Sequence, residues 1–179
     1  MIETAQTVTV ACGIDDVWSY VRDIRNWAQL MPGLQECDIR SDDDSHWVLK
    51  VGVGGMVRTV KVNVHVDQWD GPGRVLFSYQ LQGDPVRGGG SYTAMAKGPA
   101  ETGMTLAIQV EGSGPMAPMW EAMGGPLLPK FALAFAEQLR DGIEAQMGAS
   151  PEATVGRKRG SFFSWLLGYL RRLFANRQG

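Results

Sequence analysis

The strongest constraint on this chain is a long stretch of alternating apolar and polar residues, Leu34–Gly114, that precedes one long amphipathic segment. Residues that alternate with a period of two line the two faces of β-strands. The clearest example is 56–67, where every second residue from Val60 to Val66 is valine. Turns rich in glycine, proline and aspartate separate such runs about every ten residues. The region therefore predicts six or seven antiparallel strands with one apolar face.

Helical segments flank this region. A strand at Thr7–Val10 and two short helices precede it, the first around Val17, with Asp15 or Asp16 as its cap, and the second at Ile24–Leu30. After it, one apolar stripe predicts a long helix that ends near Met147-Gly148: Leu128, Phe131, Phe135, Leu139 and Ile143. A single helix does not fill the space inside a curved sheet. We therefore expect an α+β fold in residues 1–148, with a cavity between sheet and helix.

This order of elements resembles the START-like, or helix-grip (SRPBCC), superfamily, and within it the family of carbon monoxide dehydrogenase G subunits. The local matches are Val17-Trp18, Asp23, Met31-Pro32-Gly33, Val51-Gly52-Val53-Gly54, and a last strand with Thr105 and Leu106 that ends in Gly112. They span about residues 3–147 and are caps, turns and packing positions. The resemblance implies a curved antiparallel sheet wrapped around a C-terminal helix. It also implies membrane association and the handling of quinone for a molybdenum hydroxylase-type dehydrogenase.

The predicted cavity-lining residues are mostly aromatic or sulfur-containing: Trp18, Trp27, Met31, Phe77, Tyr79, Trp120, Met123, Leu127, Phe131 and Phe135. Such a cavity suits a hydrophobic small molecule, a quinone or a lipid, held without a covalent cofactor. Tyr79, Tyr92, Ser78 or Gln109 are candidates to bond a quinone carbonyl. The methionine-rich segment Pro115–Gly125 is the expected gate, and its alternative is a short helix that packs on the core.

Catalytic and metal-binding patterns are sparse in the sequence. His46 and His65 are the two histidines, and neither has zinc-ligand spacing around it. The glycines of Gly88–Gly90 do not begin a helix, so they are expected to mark bends or bulges rather than a phosphate site. A nucleophile elbow is also missing. The sequence therefore favours a binding protein over an enzyme, with a cyclase-like enzyme as an alternative because related cyclases use the same cavity.

The charge distribution changes sharply near residue 151. Residues 1–151 hold 11 basic and 18 acidic residues, whereas 152–179 hold six basic residues and one acidic residue. Residues 149–160 are small, polar and basic and predict a linker, and 161–179 predict an amphipathic helix. Its predicted membrane-facing residues are Arg157, Lys158, Arg159, Phe162, Phe163, Trp165, Leu166, Leu167, Leu170, Arg171, Arg172, Leu173 and Phe174.

This tail predicts a peripheral protein on the cytoplasmic, inner face of the cell membrane. Basic residues favour an anionic lipid surface, and aromatic residues favour the interfacial region of a bilayer. The alternative is a lipid-binding or assembly factor whose tail docks on a partner protein, such as a dehydrogenase complex. Nucleic acid is not an expected partner, because the acidic domain repels phosphate.

Overall fold

The computed structural model describes residues 1–53, 56–115 and 117–148, with all their side chains except those of Val53, Met56 and Met123. The described part holds seven strands and four helices. In chain order they are β1 (Ile2–Val10), α1 (Ile14–Val21), α2 (Ile24–Leu30), β2 (Leu34–Ile39), β3 (Asp44–Val53), β4 (Met56–Asp70), β5 (Arg74–Leu81), β6 (Val86–Gly98), β7 (Glu101–Gly112), α3 (Ala117–Gly124) and α4 (Leu128–Met147). The predicted linker (149–160) and tail helix (161–179), with its membrane-facing residues, lie outside these ranges.

All seven strands form one antiparallel sheet in the order β1-β7-β6-β5-β4-β3-β2. Shifts of register interrupt β4 between Val66 and Gln68 and β6 between Ala96 and Gly98, and such bulges bend a strand and increase its twist. The predicted α+β helix-grip fold is confirmed: a curved antiparallel sheet wraps around the long C-terminal helix.

The face of the sheet that points towards α4, called the inner face below, is apolar as predicted. On β4, Val60, Val62 and Val66 are buried, whereas Lys61 and His65 on the outer face are exposed. The helix α4 lies closest to β1, and also contacts β7 and α2. Its buried stripe consists of Ala132, Phe135, Ala136, Leu139 and Ile143. The helix therefore covers one side of the sheet more closely than the β3–β5 side.

Local details correct two expectations from the sequence. Gly13, and not Asp15 or Asp16, occupies the N-cap of α1, and the two aspartates lie in its first turn. Carboxylates in that turn still favour the helix, because they face the positive end of its dipole. The methionine-rich segment between β7 and α4 is not an open loop, because most of it forms the two-turn helix α3.

Candidate functional site

Four aromatic side chains meet between the sheet and the helices. The indole ring of Trp27 on α2 lies 6.1 Å from the ring of Phe77, 5.7 Å from Tyr92 and 6.1 Å from Phe135, measured between centroids. Trp27 is fixed in place because its Nε1 donates a hydrogen bond to the carbonyl of Val21. The structure thus brings together three of the predicted cavity residues and adds Tyr92.

Beside this cluster, part of the inner face is only half-buried. At the α1 end, inner-face residues such as Val75 and Leu106 are fully buried. Nearer to α3, Val64 on β4 and Phe77, Tyr79 and Leu81 on β5 are half-buried, although Val60 and Val62 on β4 are buried. Leu128 and Phe131, near the start of α4, are half-buried as well. From this incomplete burial we infer an opening between the two sets, called the cleft below, with the strand residues as its floor and the helix residues as its roof.

The glycines of β6 shape the floor of the cleft. Gly88 pairs with Tyr79, and Gly90 pairs with Phe77. A Cβ atom at Gly90 would come within 2.7 Å of the Phe77 ring, and one at Gly88 would collide with the Tyr79 ring. The sequence expectation of bulges here is wrong, because the ladder of β5 and β6 is continuous across Gly88–Gly90, and the expectation of bends stays a prediction. These glycines instead leave room for the two rings to lie flat across the sheet.

The tyrosine hydroxyls of the two floor strands differ in their surroundings. The Tyr79 hydroxyl donates to the carbonyl of Gln109 at 2.8 Å. The Tyr92 hydroxyl is fully buried and has no hydrogen-bond partner among the described residues. Burial raises the pKa of Tyr92 above its usual value, so the group stays protonated and able to donate at neutral pH. Tyr92 is therefore the polar group of the aromatic cluster that is available to bond a ligand.

The helix α3 lies at the open end of the cleft. Trp120 packs against Gly112 at the end of β7, and the guanidinium of Arg58 on β4 sits 5.8 Å from the centre of its ring. Arg58 also pairs with Asp84, at 2.9 Å, in the loop between β5 and β6. Trp120 thus borders the mouth of the cleft rather than its interior.

The remaining predicted lining residues are dispersed. Trp18 lies at the opposite end of the sheet, edge-on to Trp69 at 6.2 Å and against Gly71. Met31 is half-buried against the core, and Leu127 is 43% exposed beside the mouth. The prediction for the Met123 side chain lies outside what the structure describes.

The outer face of the sheet carries two open depressions, of about 480 and 800 Å³. Polar residues contribute to their lining, among them His65, whose Nδ1 lies 2.8 Å from the carboxylate of Asp44. That hydrogen bond raises the pKa of His65 and lowers the pKa of Asp44. Ser78, the strand neighbour of His65, donates instead to Asp67 at 2.9 Å. Ser78 and His65 thus form no nucleophile–base hydrogen bond, and the candidates Ser78 and Gln109 face away from the cleft.

Comparison with known proteins identifies the fold that this cleft belongs to. Residues 1–148 match the family described as polyketide cyclase / dehydrase and lipid transport. The chain belongs to this family. No curated protein matched the chain. By its own description the family includes cyclases as well as lipid-transport proteins, and it binds hydrophobic small molecules.

Solved structures share the fold at low sequence identity. A conserved protein from Geobacillus kaustophilus is 16% identical with a TM-score of 0.70, and the match covers 81% of this chain and 97% of that protein. A START superfamily protein from Mycobacterium smegmatis is 18% identical with a TM-score of 0.59, covering 82% and 97%. The Zhui aromatase/cyclase of a Streptomyces species is 18% identical with a TM-score of 0.58, covering 86% and 99%. With the family match over residues 1–148, these structures confirm the expected START-like superfamily, and the narrower resemblance to carbon monoxide dehydrogenase G subunits stays a prediction.

Sequence reasoning did not single out two further residues of the inner face. Ser45 and Trp47 on β3 are buried, and their side-chain polar atoms have no hydrogen-bond partner among the described residues. The alternation of β3 was the available signal, since it places both residues on the inner face. In the described residues, no group of three or more metal-ligating side chains is suitably placed, and no helix is long and apolar enough to cross a bilayer.

Proposed function

We propose that this protein binds a neutral, apolar small molecule in the cleft and carries it, rather than transforming it. The observation that carries the proposal is the half-buried apolar cleft next to an aromatic cluster that contains Tyr92, whose fully buried hydroxyl has no partner in the described part of the chain. An apolar lining with a few convergent polar groups is the usual composition of a small-molecule site. No charged side chain is buried among the described residues, so a neutral ligand suits the site better than an ion.

Within this class we propose a quinone as the ligand. We also propose that the protein serves a membrane-linked dehydrogenase of the molybdenum hydroxylase type. Two features support this choice. The sequence resembles the family of carbon monoxide dehydrogenase G subunits, and the basic, aromatic segment 157–179 suits the surface of an anionic membrane. A quinone also carries carbonyl oxygens that accept a hydrogen bond from a hydroxyl such as that of Tyr92. On this proposal the protein works on the inner face of the cell membrane.

A cyclase-like enzyme is the second candidate. The fold is shared with the Zhui aromatase/cyclase, and an unpartnered buried hydroxyl can position or protonate a reacting carbonyl. The two candidates differ in what Tyr92→Phe does. A carrier variant still binds and releases an apolar molecule unchanged, whereas an enzyme variant loses turnover.

A larger side chain on α4 tests the cleft by filling it. Phe131 is half-buried and is not part of the buried core, so we expect the larger ring of Phe131→Trp to occupy the cleft. Calorimetric titration of the full chain with naphthalene should show binding in the wild type and at least tenfold weaker binding in Phe131→Trp, with little change in melting temperature. The matched control is Leu133→Trp on the exposed side of α4, which should bind like the wild type.

A solid core beneath Phe131 would give a different result. If the space beneath Phe131 is solid core, the larger ring overpacks it and lowers the free energy of unfolding by about 1–3 kcal/mol. A destabilised Phe131→Trp variant that binds naphthalene as the wild type does would contradict a ligand site at the cleft.

A further inference from the structure

Two buried side chains on β3 have polar atoms without a hydrogen-bond partner in the described part of the chain. Ser45 is 3% exposed and Trp47 is 5% exposed, and neither Ser45 Oγ nor Trp47 Nε1 is bonded there. Most buried polar groups in proteins are paired, because an unpaired one loses its hydrogen bonds to water without replacement. Two unpaired buried polar atoms on one strand are therefore unusual.

Both residues border the cleft. They are two positions apart on β3, so their side chains share the inner face. Ser45 pairs with Val64, which in turn pairs with Tyr79 on the floor of the cleft. Trp47 lies one row closer to α3, in line with Leu81. Val62, the direct partner of Trp47, is buried, and Val64, Tyr79 and Leu81 are half-buried, so the unpaired atoms lie on the inner face next to the half-buried apolar floor.

The chemistry of these atoms restricts what they can bind. An indole N–H only donates, so its partner must be an acceptor, and a serine hydroxyl can donate to the same atom. An anionic acceptor would need a compensating positive charge, and no charged side chain is buried among the described residues. A neutral carbonyl, ester or ether oxygen satisfies both donors without that cost.

We infer that Ser45 and Trp47 form a polar subsite that binds a neutral oxygen acceptor of the ligand. The inference rests on the proposed function, because it describes a part of the same cleft. The strand β3 is separated from β6 by three strand spacings, roughly 14 Å, and on β6 Tyr92 lies four residues beyond Gly88, the position in line with Ser45, which adds roughly 13 Å along the strand. A molecule that meets both Tyr92 and this subsite is therefore elongated and carries an oxygen near each end.

The test compares two probes of the same ring skeleton, 1,4-naphthoquinone and naphthalene, in calorimetric titrations of the full chain. The wild type should bind the quinone more tightly, because naphthalene leaves the donors unpaired. Ser45→Ala and Trp47→Phe should each weaken quinone binding about three- to tenfold and leave naphthalene binding unchanged. The matched control is Thr102→Val, which removes a buried hydroxyl that is already bonded to the carbonyl of Cys12 at 2.8 Å. It should change neither affinity.

Stability without ligand provides a second readout. Ser45→Ala removes an unpaired group, so the melting temperature should stay the same or rise, whereas Thr102→Val should lower it by leaving the Cys12 carbonyl without this donor. A fall in Ser45→Ala as large as that in Thr102→Val would overturn the inference. Equal wild-type affinities for the two probes would also overturn it while leaving the proposed function standing. If neither probe binds, the proposed function fails, and the subsite with it.

Discussion

At the scale of single residues, the environment of the Tyr92 hydroxyl leads to a specific prediction. It is fully buried without a partner among the described residues, so Tyr92→Phe should leave the free energy of unfolding unchanged or raise it by about 1 kcal/mol. Urea unfolding of Tyr92→Phe and of the wild type measures this effect.

Tyr79 is the matched control for this variant. Its hydroxyl is bonded to the Gln109 carbonyl, so Tyr79→Phe should cost about 0.5–1.5 kcal/mol of stability. If Tyr92→Phe destabilises the protein as much as Tyr79→Phe does, the Tyr92 hydroxyl has a partner within the folded protein and is not kept free for a ligand.

At the scale of elements, the pairing of β5 with β6 depends on glycine. A Cβ atom at Gly90 would lie 2.7 Å from the Phe77 ring and would collide with the carbonyl of Ala107. Gly90→Ala should therefore lower the free energy of unfolding by about 1–3 kcal/mol. Gly52→Ala on β3, where a Cβ atom meets nothing within 4 Å, should be neutral or stabilising. Thermal unfolding of both variants checks this, and equal effects would contradict the close approach of Phe77 and the Ala107 carbonyl to Gly90.

The elements also show what the sequence allows one to predict. The valines of β4 and the stripe of α4 predicted the inner face correctly, because burial on one face imposes a period of 2 or 3.6. Periodicity does not reveal which inner-face residues stay half-buried. Val64 and Phe77 remain so because α4 lies over β1 and β7, and that offset depends on tertiary packing.

The sequence also does not reveal which buried polar atoms have a hydrogen-bond partner. Tyr79 and Tyr92 were equivalent candidates until the structure placed the Gln109 carbonyl beside one of them and, within the described ranges, no partner beside the other. Trp18 and Trp27 looked alike as aromatic residues of short helices, yet they lie at different ends of the inner face. Such distinctions depend on contacts between residues that are far apart in the chain.

At the scale of the whole molecule, we expect the basic tail to bind membranes and the acidic domain to stay folded without it. The full chain should sediment with anionic phospholipid vesicles, less so at high salt and little with zwitterionic vesicles, because exposed charge is screened. A protein that lacks residues 157–179 should stay in the supernatant with an unchanged melting temperature. Equal sedimentation of the two proteins would contradict a membrane-binding tail. Failure of both proteins to sediment would contradict it as well.

The measurement that tests the central claim most directly is mass spectrometry of organic extracts from the purified full-length protein, with Phe131→Trp purified in parallel. A carrier with an open apolar cleft should yield a neutral, oxygen-bearing apolar compound, near one equivalent per chain, that is depleted in the Phe131→Trp extract. Extracts of the two proteins that contain the same compounds in the same amounts, or none, would contradict ligand binding in the cleft.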